Sequence, residues 1–393
     1  MTSTVEMLEK LVAFDTTSSK SNLDLIDCVQ SHLDLPGVSV RRVADPTGKK
    51  AALHAVIGEP GSGGLAFSGH VDTVPVEGQA WSGDPFRLKA DAGRLLGRGA
   101  VDMKGFVASC LAAVPDLVAM RLPRPVHLLI SYDEEVDASG ARRLVEDLRP
   151  GFWKPDACVV GEPTGLAPVV AHKGKLVVRG TVRGVPGHSS QPAFGVNAVH
   201  AAAETVAWAV SLARRHASHG PFAPGFDPPH TTVHVGLAWG GSIVNIIPED
   251  AGFVMEWRTI PGDSAPGELD EMRRYVAENV EPAMKAVSKE AGVTLVPESW
   301  YPDLAIDPSH ALVGLVSDAA GKRGCEKVSY ATEAGVFQAA GIPTVVCGPG
   351  SIAQAHKPDE WIAQSELDAC DRFVRNIARR YAASDQASAG SPT

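Results

Sequence analysis

Short, nearly unbroken apolar runs recur through the first 175 residues. AALHAVI (51–57), LAFSGHV (65–71), VHLLISY (126–132) and ACVVG (157–161) are too short for helices and rich in β-formers. Runs such as VHLLISY and ACVVG are apolar on both faces. That is the pattern of a strand covered on both sides of its sheet, which requires helices over that sheet. Helix-like segments do fall between the runs, at 103–121, where Pro115 predicts a kink, and at 140–148. A first helix is expected from Thr4, its predicted cap, with Val5, Leu8, Leu11 and Val12 on one face. Alternating strand and helix makes this segment α/β.

At about residue 176 the pattern changes. LVVRGTVRG alternates apolar and polar side chains, as a strand with one wet face does. A helix (195–213), two strands (TTVHVGLAWG and GFVMEWRTI), a second helix (266–287) and a strand in VTLVPESW complete a β-α-β-β-α-β order. That order suits a small ferredoxin-like α+β domain. The chain then returns to α/β character with a helix near 309–321, the strand TVVCG (344–348) and a closing helix at 364–383. The length of 393 residues also favours more than one core. The expected division is a catalytic domain in two segments, 1–175 and 291–384, with the domain 176–290 inserted and a disordered tail at 385–393.

What stands at the ends of the apolar runs suggests chemistry. His70 and Asp72 end one run, Glu134 and Glu135 a second, and Glu162 a third. Asp102 lies in GRGAVDMKG, where glycines let the backbone turn sharply, and His356 follows TVVCG. Ligands of open α/β sheets gather at the carboxyl ends of strands, and carboxylates with imidazoles suit Zn²⁺, Co²⁺ or Mn²⁺. The spacing leaves roles open: of His70 and Asp72, one is to bind metal and the other to support it. Glu134 and Glu135 divide metal and water between them. Two metal ions joined by a carboxylate imply hydrolysis by activated water.

Other signals point away from rival functions. The net charge of −10 argues against a nucleic-acid partner, and no stretch approaches the ~20 apolar residues of a membrane span. Six scattered cysteines without Cys-x-x-Cys fit free thiols in a reducing cytoplasm. GEPGSGG lacks the Gly-Lys-Ser/Thr ending of a phosphate loop, and no Gly-x-Ser-x-Gly elbow is present. The pairs His216/His219 and His230/His234 are read as surface or structural.

The strings SGHVDTVP, GRGAVDMKG, DEE, GEPT and GVPGHSSQP, in that order over nearly the whole chain, resemble the dinuclear-zinc amidohydrolase and peptidase family. YATEAGVFQ and GPGSIAQAHKPDEWI look most like its acetylornithine deacetylase branch, with Gly335 where Pro often stands. The resemblance implies a mixed-sheet, zinc-peptidase-like catalytic domain and an inserted lid that also forms a homodimer. It implies His70, Asp102 and Glu162 on one metal ion and Asp102, Glu135 and His356 on the other. Asp72 would orient His70, Glu134 would be the general base, and His188, reaching in from the partner's lid, would donate to the oxyanion. Asn245 and Arg258 would contact the carboxylate of a small N-acyl amino acid, and Arg258 suits a bidentate pair. Glu333 is expected either to face the substrate's amino end or to be an exposed loop acid. The implied reaction is hydrolysis of the N-acetyl amide of N2-acetyl-L-ornithine, in arginine biosynthesis, with a deacylase of another N-acyl amino acid, such as a desuccinylase-like enzyme, or a dipeptidase of the same family as the alternative.

Overall fold

The computed structural model describes residues 2–148 and 153–389, with 383–389 as backbone only. It divides into two compact units. One comprises residues 1–171, 304–327 and 332–393, the other 172–303 and 328–331. Among the described residues no helix is long and apolar enough to cross a membrane.

The first unit is built on a mixed sheet. Its strands run Val38–Ala44, Ala51–Ile57, Val126–Ser131, Leu65–His70, Ala157–Pro163, Thr344–Gly348, Val169–His172 and Leu304–Ala305 in spatial order. Leu65–His70 is parallel to both its neighbours, and Thr344–Gly348 is parallel to Ala157–Pro163. The four parallel strands are buried along their whole length, as their apolar runs predict. The helix Lys104–Met120 continues through Pro115 and lies against this sheet. Gly161 makes the close approach possible: a Cβ there would stand 2.0 Å from the Phe106 ring. The first helix, Thr4–Val12, is capped by Ser3 and not by Thr4. Ser3 and Glu6 form a reciprocal capping box, while the Thr4 hydroxyl donates to Asp371. The last helix runs Gln364–Ala389, so helical backbone passes through 385–389, where a tail was expected; residues 390–393 lie outside the described residues.

The second unit is a four-stranded antiparallel sheet in the order Thr232–Gly240, Asp250–Thr259, Gly174–Arg183, Gly292–Tyr301. This is the β-α-β-β-α-β arrangement, with the helix Ala198–His219 after the first strand and helical turns from Ala265 to Val287 before the last. Phe253, Met255 and Trp257 point into its core, while Val254, Glu256 and Arg258 alternate onto the other face. The unit extends beyond 290 because Gly292–Tyr301 pairs with Gly174–Arg183 and completes the sheet.

His54 and His127 sit side by side on adjacent strands of the large sheet, 2% and 0% exposed. His54 Nε2 meets His127 Nδ1 at 2.9 Å, and His127 Nε2 donates to the Gly63 carbonyl at 2.7 Å. Burial, reinforced by the neighbouring imidazole, depresses His54 to about 3. Since the unfolded chain binds its proton near pH 6.5 and the folded chain does not, this pair's contribution is full above pH 6.5. It is lost as pH falls toward 3. Urea unfolding should therefore show stability decreasing between pH 6.5 and 5, with a shallower slope in His54→Asn; equal slopes would exclude this source.

Candidate metal centre

His70 is the last residue of its strand and is fully buried. Its Nδ1 donates to the Asp72 carbonyl at 3.0 Å and lies 3.4 Å from Asp72 Oδ1. That contact places the ring proton on Nδ1 and turns the Nε2 lone pair toward Asp102 Oδ1 at 3.1 Å and Glu162 Oε1 at 3.7 Å. Glu162 comes from the next parallel strand, Ala157–Pro163.

Asp72 does more than orient His70. Its Oδ1 accepts the Glu134 amide at 3.0 Å, and its Oδ2 accepts the Glu135 amide at 3.2 Å and the Ser18 hydroxyl at 2.7 Å. One buried carboxylate thus fixes the histidine of one strand end and the turn after its neighbour. That turn is tight, with Asp133 at φ +57°, and Lys50 pairs with Asp133 beside it. The tight turn frees Glu134 and Glu135 from the opposed directions an extended strand would impose.

Asp102 is the exception to the strand-end pattern. It lies in the turn between the short strand Arg94–Leu96 and the helix Lys104–Met120, outside the large sheet. Its two oxygens face different partners: Oδ1 faces His70 Nε2, and Oδ2 faces His356 Nε2 at 3.2 Å. His356 Nε2 also meets Glu135 Oε1 at 3.0 Å, across a sequence separation of 221 residues. Two ligand sets result, His70/Asp102/Glu162 and Asp102/Glu135/His356, each with its donor atoms within 4.8 Å of one another. Donor atoms sharing a tetrahedral Zn²⁺ stand roughly 3.3 Å apart, so contacts of 3.0 to 3.7 Å fit such an ion.

The electrostatics also fit cations. Burial, then crowding by neighbouring acids, pushes Glu134 and Glu162 well above the usual carboxylate range and Glu135 above it, against the opposing pull of His70. Hydrogen bonds to Asp102 and Glu135 raise His356 to about 10. For His70, burial pulls the value down, yet the bonds to Asp102 and Asp72 outweigh it and the net shift is upward. The acids thus draw positive charge onto the imidazoles. Divalent ions supply that charge with the imidazoles neutral and the carboxylates ionised.

The remaining expected residues are placed differently. Glu333 is neither an exposed loop acid nor open to a substrate. It is fully buried, and its oxygens accept the Ser68 hydroxyl at 2.7 Å and the Ser131 hydroxyl at 2.5 Å. It braces the two strands that end at His70 and before Glu134. In the second unit, the short pairing of Gly187–His188 with Ile246–Ile247 brings Asn245 beside His188, with the Ser189 amide donating to the Asn245 carbonyl at 3.1 Å. His188 is exposed. Its Nδ1 accepts from the Ser190 amide at 3.2 Å, which leaves the proton on Nε2. Arg258 is held bidentately by Glu256 through Nε at 2.8 Å and Nη2 at 3.0 Å, an engagement of one edge of the guanidinium. His216 is structural, bonded to Glu268 at 2.7 Å. Nothing in the sequence singles out Ser18, Ser68 or Ser131, nor Glu360, whose carboxylate accepts the Asp102 amide at 3.2 Å and an Arg98 N–H at 2.7 Å; Arg98 alone stands out, as a charge inside the otherwise small-residue turn GRGAV.

A mixed sheet with carboxylates and an imidazole at its strand ends, joined by Asp102 and His356 from adjoining loops, is an arrangement that could hold divalent ions. Residues 66–380 match the peptidase family M20/M25/M40, and the chain belongs to that family. It is 37% identical to an acetylornithine deacetylase of Myxococcus xanthus, over 95% of this chain and 96% of that protein. It is 32% identical to an acetylornithine deacetylase of Photorhabdus laumondii, over 97% and 98%. Among solved structures, an M20 family metallo-carboxypeptidase of Sulfolobus solfataricus superposes with a TM-score of 0.73 at 16% identity, over 98% of this chain and all of that one.

Asp72→Asn should weaken metal binding by about 10–100-fold, because the amide cannot accept from all of Asp72's present donors. Competition with a chromophoric chelator measures this, and an unchanged affinity would remove Asp72 from its supporting role.

Proposed function

We propose that this enzyme hydrolyses the N-acetyl amide of N2-acetyl-L-ornithine to L-ornithine and acetate with two Zn²⁺ ions. Co²⁺ or Mn²⁺ would also suit the donors. The observation that carries the reading is Asp102, whose two oxygens serve two separate ligand sets. Similarity to two acetylornithine deacetylases over nearly the whole chain supports the substrate and a place in arginine biosynthesis.

When bound, the ions activate water and polarise the amide carbonyl. Glu134, buried beside the ligand sets, accepts the water's proton and later delivers it to the leaving amine nitrogen. With cations on the neighbouring donors, Glu134 would stay ionised and available as a base. His188, reaching in from the partner subunit, donates from Nε2 to the developing oxyanion, and Asn245 and Arg258 bind the substrate's carboxylate. The second unit exposes Leu237, Trp239, Ile243, Val244 and Ile246, which supports a role for it in a homodimer. Free cysteines, four of them buried, support a cytoplasmic location.

Chelation should abolish turnover and added Zn²⁺ or Co²⁺ restore it; full activity in stripped protein would end the metal reading. Glu134→Ala should retain metal and lose turnover, and near-normal turnover would end its assignment as base. His188→Ala should lower kcat by about 10²–10³-fold with metal content unchanged; lost metal would make it a ligand instead. Among acetylornithine, succinyl-diaminopimelate, other N-acetyl amino acids and a dipeptide, acetylornithine should give the highest kcat/KM. Preference for another of these would assign the enzyme to that substrate.

A further inference from the structure

The loop carrying His356 has an unusual backbone. His356 has φ +62° and Asp359 φ +55°, the left-handed region that residues with a Cβ seldom adopt. Such a loop needs outside contacts to hold it, and it has them. Asp359 Oδ1 accepts the amide and hydroxyl of Ser82, both at 2.9 Å. The His356 carbonyl accepts from Gln79 Nε2 at 3.3 Å.

Gln79 is one end of a chain that leads to Asp102. Its Oε1 accepts from Arg98 Nη2 at 2.5 Å, and Arg98 Nη1 donates to Glu360 Oε2 at 2.7 Å. Arg98 and Glu360 are each 1% exposed. Glu360 Oε2 also accepts the Gly99 amide at 3.0 Å, while its Oε1 accepts the amides of Val101 at 2.9 Å and Asp102 at 3.2 Å. Just beyond Glu360, Trp361–Ala363 pairs with Arg94–Leu96, which sets the two loops side by side. Three of the four hydrogen bonds that the Glu360 carboxylate accepts come from backbone amides of the turn that presents Asp102.

We propose that Glu360, Arg98 and Gln79 are positioning residues that clamp Asp102 and His356 together and so set the affinity of the Asp102/Glu135/His356 set for its divalent ion. His70 and Glu162 stand on the central strands and do not depend on the clamp, so the other set is affected less. This rests on the metal reading above.

Zinc titration of chelator-stripped protein tests it, with circular dichroism to verify folding. Wild type should take up two ions in resolvable steps, and His356→Ala identifies the step that belongs to the second set. Glu360→Gln, which sets an NH₂ group against N–H donors, should weaken that same step by about 10–100-fold and the other step, which shares only Asp102 with it, by several-fold less. Gln79→Ala, a milder change at a half-buried residue that leaves Glu360 on Asp102, should act on the same step, and it decides the matter if Glu360→Gln does not fold. Variants that match wild type, or that weaken both steps equally, would overturn the clamp alone. Wild type that binds fewer than two ions would overturn the metal reading and the clamp with it.

Discussion

The Asp72 carboxylate is the interaction on which the rest of the centre depends. It is buried among acids, yet lies below the usual carboxylate range: burial raises it, but its hydrogen bonds, with the His70 ring, the Ser18 hydroxyl and the Glu134 amide among them, lower it more. An ionised carboxylate kept dry by several donors is rigid as well as charged. Through it, a ligand on one strand, a ligand and the proposed base on the next, and the N-terminal segment carrying Ser18 share one reference point. Glu333 repeats the device one layer down, where the Ser68 and Ser131 hydroxyls tie the same two strands.

The parallel strands explain why so many carboxylates can converge at all. Side by side and ending together, they set His70, the turn holding Glu134 and Glu135, and Glu162 at one edge of the sheet. Crowded acids repel, and water is largely excluded from these side chains, so the arrangement needs positive charge to be stable. Asp102 and His356 complete it from loops outside the large sheet. Those loops lack the register that fixes a strand end, and the Asp102 turn is held instead by the buried hydrogen bonds of Glu360.

The sheet was legible because buried parallel strands leave near-continuous apolar runs, and most of the candidate ligands because three of those runs stop at an acid or a histidine. The inserted unit was legible through its change to alternation, its last strand included; the expected boundary at 290 falls short of that strand, Gly292–Tyr301, which pairs with a partner more than a hundred residues earlier. The supporting residues left no such trace. Glu333 meets Ser68 across 265 residues and Glu360 meets the Asp102 amide across 258. No local period marks such a pair, and an acid in a polar loop looks the same whether it ends up buried or wet. Glu333 was misplaced for that reason. Ser3 and Thr4 show the same limit at short range. Either hydroxyl can cap a helix, and the choice followed from Asp371, which binds Thr4 from the far end of the chain.

Anomalous diffraction from crystals grown with Zn²⁺ tests the central claim most directly. Two peaks per chain, about 3.5–4 Å apart and one on each oxygen of Asp102, are predicted. A single peak, or two peaks that do not share Asp102, would contradict it.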